Sequence, residues 1–157
     1  MSIVVALGSN RPHGRHGQPR SILHAALNAI AAIGIEIVEV SQVIETAPLG
    51  PSSRRYANAV ATIDTRRSPE ELLTSLHMIE NEFGRRRQRR WGARVLDLDL
   101  IAYEQEVRGG PRLVLPHPAM HLRRFVLGPM LHVAPDWRHP ILNLSTRQMY
   151  ARLVARR

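Results

Sequence analysis

Apolar and polar positions along the chain fall into two rhythms, and the order in which they alternate outlines the fold. Ser2 to Leu7 is a short apolar run ending at Gly8 and predicts a strand; Asn10 to Arg20, with its glycines, prolines and basic residues, predicts a loop. Ser21 to Ala32 has the helical pattern and is closed by Gly34. Ile35 to Ile44 then alternates as a strand, and after a Pro/Gly/Ser-rich connection Tyr56 to Thr65 alternates as another. Ser68, Pro69 and Glu71 make a strong helix start: an N-cap, a proline in the first turn and a capping-box glutamate, with Gly84 as the stop.

The run that follows, W-G-A-R-V-L-D-L-D-L from Trp91 to Leu100, sets two carboxylates two residues apart in an apolar segment. Successive side chains of a strand point to opposite faces, so Asp97 and Asp99 share one face while Leu96, Leu98 and Leu100 share the other. Two hard oxygen ligands in that arrangement suit Mg²⁺, which takes one or two carboxylates and completes its octahedron with water and phosphate oxygens. The same alternation also describes an ordinary half-buried strand with a solvated acidic face, and at this point both readings stand. The element order is βαββαβ, which predicts an α+β, ferredoxin-like fold: an antiparallel sheet with helices packed on it. Beyond Tyr103, Gly109 and Gly110 mark a turn, Arg123 to His132 a short helix, and Leu144 to Arg157 a last helix, together a C-terminal extension. Such a fold hosts many functions and decides none.

Composition changes the picture in three ways. A chain of 157 residues fits one domain over 1–157, able to bury ~70% of its unfolded surface without staples. There is no cysteine, so disulfides and thiolate metal sites are excluded, and Met1 to Leu7 has no basic leader. No apolar run approaches the ~18 residues of a membrane span, and the expectation is a soluble, cytoplasmic protein with no membrane partner. The formal charge of +9 is carried by arginine alone, with no lysine anywhere. A Walker phosphate loop, which needs a lysine, is therefore absent, as is the G-x-G-x-x-G fingerprint of dinucleotide sites. Guanidinium forks match phosphate oxygens bidentately, so the arginine bias fits either polyanion binding or simple compositional drift. The eight histidines show no H-x-x-x-H pair on a predicted helix, which argues against zinc.

Three polar groups could meet at one open face. They are G-S-N at Gly8 to Asn10; T-A-P-L-G at Thr46 to Gly50 with Tyr56, Asn58 and the distant Phe125; and G-R-R-R-Q-R-R-W with Arg94, the two aspartates and L-P-H at Leu115 to His117. With A-L-G-S-N, Y-A-N, the E-E-L-L helix carrying Glu80, and R-R-F, these segments resemble the 6-hydroxymethyl-7,8-dihydropterin pyrophosphokinases of folate biosynthesis over nearly the whole chain. The W-G-x-R-x-L-D-L-D element with P-H some twenty residues on is highly specific to that family.

The resemblance implies an enzyme that moves a diphosphate from ATP to the pterin hydroxymethyl group and releases AMP, with Asp97 and Asp99 binding two Mg²⁺ ions along the triphosphate. By the same resemblance Arg85, Arg87 and Arg94 join the aspartates as catalytic groups, and Arg85, Arg87 and Arg90 lie along or near a closing loop. The ATP side further implies Leu73, His77, Glu80, Trp91, Leu100, Arg112, His117 and Arg123. The pterin side implies Tyr56 and Phe125 as the stacking pair, Asn58 as the edge reader, and Thr46, Ala47, Leu49 and Trp91 as wall contacts. Tyr103 and Trp137 read as core aromatics, and Arg86 and Arg89 as solvated surface. The chain departs from the family pattern in a long first loop carrying Arg11, His13, Arg15 and His16, in Ala47 for a common proline, in an arginine segment one residue shorter, and in Pro118 for an aromatic. The partners expected are the two small molecules, on a monomeric enzyme. The rival reading, a basic ferredoxin-like nucleic-acid-binding module, lacks the K/R-G-F/Y-G/A-F-V-x-F/Y signature that such a sheet carries.

Overall fold

A computed structural model describes residues 2–10, 17–46, 56–84 and 95–156 of the chain. The apolar runs become the strands β1 (Ile3–Ser9), β2 (Glu36–Val40), β3 (Ile44–Thr46), β4 (Tyr56–Asp64) and β5 (Asp97–Tyr103) of an antiparallel sheet. Its order is β2-β4-β1-β5, with β3 also paired to β4. The helices α1 (Pro19–Ala32) and α2 (Pro69–Gly84) cover one face, where Ile22, Leu23, Leu72 and Leu76 pack on Val5, Leu7, Ala59, Leu98 and Leu100. The C-terminal extension folds back as α3 (Arg124–Val133) and α4 (Thr146–Ala155) onto the opposite face, where Val126, Leu127, Met130 and Met149 meet Val4, Ala6, Val60 and Ile101. Alternate residues of β1 thus enter two different cores, the period-two rule made visible.

Local chemistry explains where expectation and structure agree. The capping box of α2 is formed: Ser68 N–H donates to Glu71 Oε1 (2.8 Å) and Glu71 N–H to Ser68 Oγ (3.1 Å). Gly34, at φ +88°, sits in the left-handed region that ends α1 at no steric cost. The predicted strand Ile35 to Ile44 is instead split into β2 and β3. Ser41 is the reason, because its N–H donates to Val60 O while its hydroxyl accepts from Val60 N–H, each at 2.9 Å, so a side chain replaces the ladder there. A second two-stranded pair, β6 (Arg108–Gly109) with β7 (Val114–Leu115), and the capping box of Ser145 and Gln148 on α4 lie within the extension. Among the described residues no helix is long and apolar enough to cross a membrane.

The extension is held by polar contacts as well as by its apolar face. Trp137 is buried with its Nε1–H donating to Glu104 O (3.0 Å), and Tyr103 donates its hydroxyl to Arg67 O, so both aromatics are largely core groups with satisfied polar atoms. His139 is buried edge-on to Trp137, and its Nδ1 accepts from Ile141 N–H (3.2 Å) and Leu142 N–H (3.0 Å). Burial, with a smaller push from His121, holds its pKa below the ordinary 6.5. A depressed histidine favours the neutral ring in the folded state, so its stabilising effect is complete above pH 6.5 and is lost as pH falls below it, where the unfolded chain binds the proton first. His139→Asn keeps an acceptor without titrating. Thermal melts from pH 8 to pH 5 should therefore show a flatter decline for this variant than for wild type; parallel curves would refute the assignment.

Candidate active site

The site grows out of strand register. Gly8 of β1 lies opposite Asn58 of β4 on one side and Asp97 of β5 on the other, while Ala6 lies opposite Asp99. Residues directly opposite share a face, so Asn58, Gly8 and Asp97 form a row across three strands, with Asp99 one step behind. Thr46 pairs with Tyr56, two residues along β4 from Asn58, which brings both onto the same face. This is the face that α3 and α4 cover further along the strands. Beyond the N-terminus of α3 it is open, and a cleft of about 400 Å³ remains, lined by Gly8, Ser9, Asn10, Thr46, Tyr56, Asn58, Asp97 and Phe125.

The cleft joins two kinds of surface. Tyr56 and Phe125 are roughly half exposed, at 43% and 47%, so both rings are available to a flat ligand. The Arg123 guanidinium lies 5.6 Å from the centroid of Phe125, a cation–π contact that takes up one face of that ring. Gly8 lets the Asn58 amide lie flat across β1: a Cβ there would stand 3.1 Å from Asn58 Oδ1. At the end of the same row Asp97 is exposed and Asp99 half-buried, two carboxylates on one face with Leu98 and Leu100 in the core behind them.

On the outer edge of β5 the chain after β7 runs close, with His117 N–H donating to Ile101 O (2.8 Å). His117 Nδ1 accepts from Ala119 N–H (3.2 Å), which leaves the proton of a neutral ring on Nε2 as a donor. Burial lowers the His117 pKa, the Asp99 carboxylate pulls it back up, and Arg123 lowers it further, so these three groups share one electrostatic neighbourhood. Glu80 of α2 is half-buried, and its Oε2 accepts from Leu98 N–H (2.7 Å), between the two aspartates. Leaving such a donor unsatisfied costs about 1–3 kcal/mol. Arg112 is exposed and tied back to α2 through Thr74 Oγ1 (2.6 Å), and His77 is exposed on the same helix. Leu73 and Leu100 sit in the core cluster beneath α2.

The structure therefore brings Thr46, Tyr56, Asn58, Phe125 and Asp97 together around one cleft and joins Asp99, His117 and Arg123 electrostatically. Ala47, Leu49, Arg85, Arg87, Arg90, Trp91 and Arg94 lie outside the described residues, as do most of the first loop and the arginine segment. Among the described residues no group of three or more His, Asp or Glu side chains is gathered as a metal cage. Sequence reasoning passed over the tethers. Thr74 holding Arg112, and the Glu80 bond to the backbone, have no signature beyond an ordinary polar residue on a helix.

Fold and cleft define a mixed α/β protein in which an aromatic-lined cleft adjoins two carboxylates on one sheet face. The chain belongs to the 7,8-dihydro-6-hydroxymethylpterin-pyrophosphokinase (HPPK) family, whose model matches residues 4–135. A 2-amino-4-hydroxy-6-hydroxymethyldihydropteridine pyrophosphokinase of Haemophilus influenzae is 46% identical over 98% of this chain and 91% of its own length. The one of Pseudomonas aeruginosa is 42% identical over 88% and 83%. The crystal structure of Plasmodium falciparum HPPK-DHPS with STZ-DHP has a TM-score of 0.67 at 12% identity, covering 99% of this chain; this chain spans 43% of that one, and the likeness is one of fold. The nucleic-acid-binding alternative has no support in any of these comparisons.

The shared field at His117 is testable by NMR titration. Asp99→Asn removes the charge that favours the imidazolium and should move the His117 midpoint further down, whereas Arg123→Ala removes an opposing charge and should move it up. Shifts of the reverse sign would separate His117 from both residues.

Proposed function

We propose that this chain transfers the diphosphate of ATP to the hydroxymethyl group of 6-hydroxymethyl-7,8-dihydropterin, giving the pterin diphosphate and AMP in folate biosynthesis. The observation that carries the reading is the row Asn58, Gly8, Asp97 on one sheet face, which sets an aromatic-walled pocket directly beside two carboxylates in a member of this family. A pterin stacked between Tyr56 and Phe125 would offer its polar edge to the Asn58 amide and its hydroxymethyl group toward Asp97.

In-line attack of that hydroxyl on the β-phosphorus forms the new P–O bond as the bridging oxygen leaves with AMP, so negative charge grows on the leaving group. In this reading the Nε2–H of His117 and the guanidinium of Arg123 donate to phosphate oxygens, and Arg112 holds the nucleotide from the α2 side. Arg85, Arg87, Arg90 and Arg94 belong to the same reading. The donor set fits Mg²⁺: Asp97 and Asp99 are hard oxygen ligands on one face, two residues apart. They would hold two ions, which when bound neutralise the phosphate oxygens. The proposal further takes 1–157 as one pyrophosphokinase domain of ferredoxin-like βαββαβ arrangement, which the strand order β2-β4-β1-β5 with α1 and α2 on one face supports. A monomeric state and a cytoplasmic location belong to it too.

AMP formation with ATP, Mg²⁺ and the pterin as acceptor tests the reaction. Asp97→Ala and Asp99→Ala should each lower turnover by about 10²-fold or more while the thermal melt stays near wild type, because the removed carboxylates are not core groups. Substantial turnover in either variant would overturn the two-carboxylate assignment.

The pterin half makes a separate prediction. Tyr56→Ala and Phe125→Ala should each weaken pterin binding by a few-fold or more, since stacking adds ~0.5–1.5 kcal/mol beyond buried area. Gly8→Ala should do the same by displacing the Asn58 amide. Fluorescence titration of the pterin reads all three. Unchanged affinity in the ring variants would return Tyr56 and Phe125 to a purely structural role.

A further inference from the structure

The outer edge of β5 carries a feature that the nucleotide and pterin readings do not use. β5 is bonded to β1 on one side, and among the described residues no strand pairs with the start of its other side. On that side Glu80 takes the Leu98 N–H at 2.7 Å, three residues before His117 N–H reaches Ile101 O. Leu98 is the residue between Asp97 and Asp99, and its own side chain is buried in the core beneath α2. Among the described residues a carboxylate thus stands in for a neighbouring strand at the one residue that separates the two aspartates. Charge-assisted bonds of this kind are shorter and stronger than amide–amide ones. Glu80 also lies one turn before Gly84, so it ties the end of α2 to the start of β5 across the arginine-bearing segment 85–94 that connects them in sequence.

We infer that Glu80 is a positioning residue: by holding Leu98 N–H on the open edge of β5 it presents Asp97 and Asp99 as a preorganised pair for a divalent cation. The inference rests on the proposed reading of the aspartates as cation ligands and gives Glu80 a role different from direct contact with the nucleotide. A residue that touches only nucleotide would leave the strand unchanged on removal. A residue that holds the strand acts before any ligand arrives.

Three measurements on the full chain separate these outcomes: amide exchange at Leu98 in metal-free protein, Mn²⁺ titration with a non-hydrolysable ATP analogue read by electron paramagnetic resonance, and AMP formation. Glu80→Ala should speed Leu98 exchange and weaken Mn²⁺ binding, each by about tenfold or more, the range seen when outer-shell partners of metal ligands are lost. Glu80→Gln retains an acceptor and should restore Leu98 protection, with Mn²⁺ affinity recovered to within about threefold. Unchanged Leu98 exchange in Glu80→Ala, or a Gln variant that behaves like Ala in both readouts, overturns the inference. If wild type binds Mn²⁺ but makes no AMP, the proposed reaction fails while the Leu98 contrast still decides what Glu80 does. Should Glu80→Ala not fold, the Gln variant and a Glu80→Asp variant, whose shorter arm reaches less well, supply the same comparison.

Discussion

The register of β1 against its two neighbours governs everything the cleft contains. Side chains alternate across a strand with a period of two, so a slip of one residue in either ladder would send Asn58 or Asp97 to the opposite face. Burial on both faces prevents it. Ile3, Val5 and Leu7 enter the core under α1 and α2, Val4 and Ala6 enter the core under α3 and α4, and neither set can exchange places without exposing apolar surface. Doubly buried central strands therefore lock the polar row at their ends, where Gly8 stands between an amide and a carboxylate.

The cleft exists because the second helical layer stops short. α3 begins at Arg124 and buries Val126, Leu127 and Met130, but Phe125, in its first turn, remains half exposed. Among the described residues no helix covers the strand ends beyond that point, and the residues there are polar or aromatic rather than aliphatic: Thr46, Tyr56, Asn58, Asp97. The same helix start supplies Arg123, which both stacks on Phe125 and contributes to the field at His117. The aromatic wall of the cleft and the field at His117 are thus tied through adjacent residues of one short segment.

Electrostatics around His117 and Asp99 is balanced rather than simply positive. Burial pushes the His117 pKa down against the pull of Asp99, and its Nδ1 is engaged by Ala119 N–H, so the neutral ring carries its donor at Nε2. Arg112 is restrained by the Thr74 hydroxyl, and after the hydrogen bond from Arg108 its charge also helps to lower the Glu70 pKa. Glu70 is taken by Arg108, at 2.8 Å, on the same helix. Arg108 thus serves the frame of α2, whereas Arg123 lies against the Phe125 ring of the cleft.

Much of the plan was legible in the sequence because it is written in local terms. A short apolar run marked β1 and alternating runs marked β4 and β5; Ser68 and Glu71 marked the start of α2; Gly34 marked the end of α1; and D-L-D placed two carboxylates on one face. The family motifs named Thr46, Tyr56, Asn58 and Phe125 for one ligand, and these do line one cleft. What sequence could not decide depends on residues far apart in the chain. Ser41 breaks a strand by bonding to Val60, Glu80 bonds the edge of β5 through Leu98, Thr74 restrains Arg112, and the Asn58 amide approaches β1 closely at Gly8, where a Cβ would stand 3.1 Å from its Oδ1. Periodicity and caps are set by neighbours within a few residues and can be read from the chain alone, whereas a hydrogen bond between residues 18 to 38 positions apart acquires its partner only when packing brings two elements together.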